Sequence, residues 1–131
     1  MAIEFNEAME MLAAASGRLE TEIQETRAEW APDDPPATIL FSAMGKRIAS
    51  AVDDIAKNEA VDVFNAVEAL LTKGSETVRN AVATGLLESL LNAASANRCD
   101  FTKVNPFLGH ASKEYCREWD RFTGSATPGL D

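Results

Sequence analysis

Two glutamates stand on stretches whose helical spacing is otherwise largely apolar. In GSETVRNAVATGLLESLLN, residues 74–92, a stretch apolar almost all round keeps one narrow polar row of Thr84, Glu88 and Asn92. Upstream, Glu68 falls inside the apolar arc made by Val61, Phe64 and Leu71. A carboxylate among apolar side chains is costly unless something satisfies it, so Glu68 must find a donor. In one arrangement Glu68 caps a helix or pairs with Arg79, Lys46 or Arg47 and serves only the fold. In the other, Glu68 and Glu88 share a groove with Thr84 and Asn92 and receive a basic group from a partner.

Catalytic readings of these residues are weaker. Glycoside hydrolysis needs two carboxyls flanking a sugar-sized cleft, and a small helical chain with few aromatics gives little sign of one. A di-iron bundle carries Glu-x-x-His pairs, whereas this chain has a single histidine, His110. Cys99, His110 and Cys116 match no standard zinc spacing and lack a fourth ligand. A Cys–His nucleophile is less fitting than a packed Cys116 beside Trp119. No glycine-rich phosphate loop, Gly-x-Ser-x-Gly elbow or His-Glu-x-x-His motif is present. The expectation is no enzyme, no catalytic residue, no metal and no cofactor.

Composition bounds the partner. The chain has 131 residues with a net charge of −9, which disfavours nucleic acid and favours a basic protein surface. Residues 1–17 carry no basic leader, and no apolar run approaches the ~20 residues that cross a bilayer. A cytoplasmic location without membrane partners follows as an expectation, with both cysteines reduced.

The elements that would position these groups are helices, since helical periodicity runs throughout and strand alternation is nearly absent. Helices are expected at about residues 3–15, 17–30, 37–57, 58–73, 76–94 and 111–123. The second stacks Leu19, Ile23, Thr26 and Trp30, with Glu22, Glu25 and Glu29 in an acidic row beside them. APDDPP at 31–36 ends it. PATILFSAMG also tolerates an extended start. Gly74 is expected as a left-handed cap and Ser75 as the next N-cap, which folds 58–73 and 76–94 into an antiparallel hairpin. Tyr115, Trp119 and Phe122 stack at helical spacing, as core or as a partner-binding ridge. The fold class is all-α: a five- to six-helix compact bundle with a central HEAT-like antiparallel hairpin. Residues 1–124 form one domain and 125–131 a flexible tail.

The run VFNAVEALLTKGSETVRNAVATGLLESLLN, followed by FLGHASKEYCREWDRFTG, resembles small bacterial helical proteins of the polymorphic-toxin immunity type. The matching positions are Phe64, Glu68, Gly74, Val82 through Glu88, Leu108, Gly109, Trp119 and Phe122. The resemblance covers the C-terminal half well and implies a HEAT-like hairpin without any catalytic residue. It implies a cytosolic immunity or accessory protein that neutralises a basic toxin or nuclease domain. The expected contact residues are Glu68, Thr84, Glu88 and Asn92, with Glu22, Glu25 and Glu29 steering the encounter. The alternative is a structural or regulatory helical scaffold, which leaves homo-oligomerisation open.

Overall fold

Ser16 ends one helix and starts the next. Its extended backbone stops the first, and its hydroxyl oxygen accepts the Leu19 N–H at 3.4 Å. The same hydroxyl donates to Glu59 at 2.7 Å, and Arg18 reaches that oxygen at 3.2 Å, so the helix junction is pinned to a distant element. The structure, a computed structural model, describes residues 1–130. The helices run as α1 (Phe5–Ala15), α2 (Gly17–Trp30), α3 (Ala37–Ala51), α4 (Lys57–Lys73), α5 (Glu76–Ala81), α6 (Glu88–Ser95) and α7 (His110–Thr123). A π-helical segment, Val82–Leu87, joins α5 to α6, and 3₁₀ turns at Phe101–Lys103 and Asn105–Phe107 lead to α7. Among the described residues there is no strand, only an isolated parallel bridge between Ile3 and Gly74.

The helical stretch 76–95 lies at the centre because it is apolar on two sides. One side packs on α3 and the other on α4, while α1 joins α2 to α4 and α7 lies on α4. Leu70, Leu86, Leu87, Leu90 and Leu91 meet Phe41, Met44 and Ile48 in the core, all essentially inaccessible. Burying each such side chain favours the fold by about 1.5–3 kcal/mol. Glycines let α3 come close. A Cβ on Gly45 would stand 2.5 Å from the Leu86 carbonyl oxygen, and one on Gly85 would stand 2.9 Å from Phe41 Cβ. The Ser42 and Ser89 hydroxyls pair across this contact at 2.9 Å.

Several expectations are corrected. Among the described residues seven α-helices form rather than five or six, since the π segment splits the expected 76–94 helix in two. α3 stops at Ala51 instead of 57, where Asp53 and Asp54 oppose the negative end of the helix dipole. No extended piece precedes α3, which starts directly after Pro36. Gly74 is not a left-handed cap: its backbone is extended, with φ −72° and ψ 159°, and its neighbours bond Ile3. Gly124 does adopt the left-handed form, with φ 73°. Residues 125–130 pack against the domain. Asp120 accepts the Thr127 N–H at 2.8 Å and its hydroxyl at 2.6 Å, and Leu130 is buried in the core. Asp131, the last residue of the expected tail, lies outside the described residues.

Candidate functional site

Glu68 and Glu88 do not open onto a shared outer crevice, because α7 lies there. The first three N–H groups of a helix lack internal partners, and Gly109 before α7 has no side chain to offer them. Glu68 of α4 takes that part. Its carboxylate accepts the Ala111 N–H at 2.8 Å, the Ser112 N–H at 3.0 Å and the Ser112 hydroxyl at 2.9 Å. A Cβ on Gly109 would stand 2.4 Å from the Glu68 carboxyl carbon, so only glycine leaves room for this cap. Burial pushes the Glu68 carboxyl upward. The N–H groups of Ala111 and Ser112, the Ser112 hydroxyl and nearby His110 outweigh it and hold the group below its ordinary value. One turn further along α7, the Tyr115 hydroxyl donates to Glu88. Burial, the hydrogen bond and the charge of Glu88 together raise the Tyr115 phenol. Arg79, Lys46 and Arg47, proposed from sequence as partners of Glu68, take no part.

The other expected contact residues gather along α3. Glu22, Glu29, Trp30 and Ile39 line one concavity of about 490 Å³. Thr84, Ser89, Asn92 and Arg98 line a second of about 490 Å³. Both share Ser42, Lys46 and Ser50, which recur at four-residue spacing on α3, so the two hollows adjoin along that helix as the two parts of a polar trough. Glu68 and Glu88 line neither. Arg47 at the rim donates to Glu22 at 2.9 Å and to Glu25 at 3.0 Å, and Thr26 donates to Glu22 at 3.0 Å. Two of the three expected steering acids are therefore already engaged, and Glu29 makes no ion pair among the described residues.

Spacing places Trp30 in an apolar stripe with Leu19, Ile23 and Thr26, and nothing in it singles out Ile39. Both protrude, 40% and 41% exposed, into the trough. Lys46 and Arg98 were missed as site residues. The signal for Lys46 was present in the Ser42, Lys46, Ser50 spacing, which marks a polar stripe on an otherwise apolar helix. Of Tyr115, Trp119 and Phe122, expected as core or as a partner-binding ridge, the first two pack partly against the core and Phe122 is 91% exposed.

Cys116 is fully buried, and burial with the charge of Asp120 pushes its thiol up to about 12. Burial and the charges of Asp100 and Asp53 raise Cys99 as well. Neither thiol resembles an activated nucleophile, which requires a lowered value. Among the described residues no cluster of His, Cys, Asp or Glu is placed to hold a metal ion, and no helix is long and apolar enough to cross a membrane.

A family model described as a domain of unknown function, DUF7674, matches residues 9–124, and the chain belongs to that family. No curated protein and no solved structure matches.

Proposed function

We propose that this member of the DUF7674 family is a non-enzymatic protein-binding module. It presents the Trp30–Ile39 end of the trough to a basic partner. One observation carries the reading: two large apolar side chains, each about two-fifths exposed, line one concavity beside a strongly acidic pair of helices. Residues 1–36 hold nine of the 21 acidic residues and two of the 12 basic ones, a net of −7 out of −9. Exposed aromatic and aliphatic anchors supply binding energy, and the surrounding field speeds encounter with a positive surface.

The specific form favoured by that charge and by the resemblance is a cytoplasmic immunity protein. It would neutralise a basic toxin or nuclease domain from a HEAT-like hairpin scaffold. The contact set is Glu22, Glu25, Glu29, Thr84 and Asn92, joined by Trp30 and Ile39. Glu68 and Glu88 leave that set because their oxygens are bonded to α7.

The test is affinity capture from the native host, followed by binding kinetics with the purified partner. Trp30→Ala and Ile39→Ala should each raise Kd by about thirtyfold or more at unchanged melting temperature. Glu29→Lys should slow association and flatten its dependence on salt. A partner bound equally well by Trp30→Ala and Ile39→Ala sinks the proposed surface.

A second reading, a helical scaffold that self-associates, is favoured by Phe122 at 91% exposure on α7. Light scattering of the wild type and Phe122→Ser decides it. A dimer dispersed by the substitution supports self-association, and a monomeric wild type removes it.

A further inference from the structure

The second concavity differs from its neighbour in charge. No Asp or Glu lines it, in a chain with 21 of them. It holds two cations instead, Lys46 from α3 and Arg98 from the turn after α6. Neither makes an ion pair among the described residues.

Arg98 is set in place by the backbone. Asn97 adopts a left-handed conformation with φ 59°, and its N–H donates to the Ala94 carbonyl at 3.1 Å. The Arg98 N–H donates to the Ala93 carbonyl at 2.8 Å. This pair of bonds is the Schellman closure of α6, and it turns the chain back beside the last helical turn.

Donors in the hollow exceed what the protein uses. The Ser50 and Thr84 hydroxyls are spent on the Arg47 and Asn80 carbonyls, at 3.0 and 2.7 Å. The Ser42–Ser89 pair consumes one of its two hydroxyl protons. The other hydroxyl proton remains, with the Asn92 amide, the Lys46 ammonium and the Arg98 guanidinium, all without a side-chain partner among the described residues. Such a set matches an oxyanion with several acceptor oxygens and more than one negative charge.

We infer that this hollow binds a small organic phosphate, with Lys46, Arg98 and Asn92 on the phosphate. The cavity of about 490 Å³ exceeds the needs of a bare phosphate and falls among small-molecule sites of about 300–1,000 Å³. Ala49 and Ala93 offer an apolar wall to the remainder of the ligand. The walls are preformed, since Gly45 and Gly85 lock α3 against the π segment at backbone contact distance. The inference does not depend on the protein-binding reading, and its test needs no partner.

The test is a nuclear magnetic resonance titration of the full chain at constant ionic strength. The probes are inorganic phosphate, glycerol 3-phosphate, adenosine 5′-monophosphate and, as a non-phosphate dianion, succinate. Saturable amide shifts are expected across residues 42–50 and 89–98. At least one organic phosphate should bind about tenfold more tightly than succinate and more tightly than inorganic phosphate. Lys46→Met and Arg98→Met should each weaken that binding about tenfold or more, and Lys73→Met on α4 should leave it unchanged. The spectra of the unliganded variants report directly that their folds are intact. Shifts that do not saturate, that spread to every basic residue, that are equal for succinate, or that survive Lys46→Met overturn the site.

Discussion

Glu68 is the residue whose environment differs most from a surface acid. Three donors from α7 converge on one carboxylate, so Glu68→Ala should destabilise the fold by about 1–2 kcal/mol, measured by urea unfolding. The effect has a defined pH dependence. The carboxyl sits below its ordinary value of 4.5 in the fold, so the native state favours the ionised form. Its stabilisation is fully present above about pH 4.5 and is lost as pH falls through the depressed native value. The stability gap between wild type and Glu68→Gln should therefore be constant near neutrality and shrink in acid. A gap that persists unchanged in strong acid would assign the effect to packing. Glu88→Ala should cost about 1–3 kcal/mol by stranding the half-buried Tyr115 hydroxyl, a loss that Tyr115→Phe in the same background should relieve. The buried thiols give a further check. Cys116 and Cys99 should react with a thiol reagent far more slowly in the native protein than in denaturant, Cys116 slowest.

At the scale of elements, the contact of α3 with the central helical stretch holds the trough open. Gly45→Ala would drive a methyl to 2.5 Å from a backbone oxygen that cannot move alone. A cost of about 1–3 kcal/mol or more in thermal unfolding is expected, together with altered amide shifts along 84–98. Gly17→Ala is the control, since its Cβ would meet nothing within 4 Å. The π-helical segment belongs to the same contact. Thr84 inside it turns its hydroxyl to the Asn80 carbonyl, an interaction that competes with regular helical bonding and accompanies departures from it. The break between α4 and the 76–95 stretch was legible in Gly74–Ser75, and the Ser75 hydroxyl does accept the Val78 N–H at 3.2 Å. The break at Val82 was not, because VATGLL carries no proline and its apolar spacing fits an ordinary helix.

For the whole molecule, charge is distributed unevenly, with −7 of −9 in the first 36 residues. Association with the proposed basic partner should consequently slow as salt rises, and reversing Glu29 should remove part of that slope without loss of fold. Reversing Glu22 or Glu25 should also cost stability, since both hold Arg47. Periodicity and capping residues alone determined that this chain is all-helical, where most helices begin and end, and which faces are apolar. They did so because helix period, N-caps and proline breaks act within a few residues of themselves. Tertiary structure decided the direction of each polar side chain. Sequence spacing placed Glu68 and Glu88 on the right elements but contained no sign that α7 would return to cover them. It also placed Lys46 and Arg98 far apart in the chain, and only the packing of α3 on the central stretch brings them into one hollow. A carboxylate takes its function from whichever donor arrives from elsewhere in the chain, and that long-range arrival is not written in local spacing.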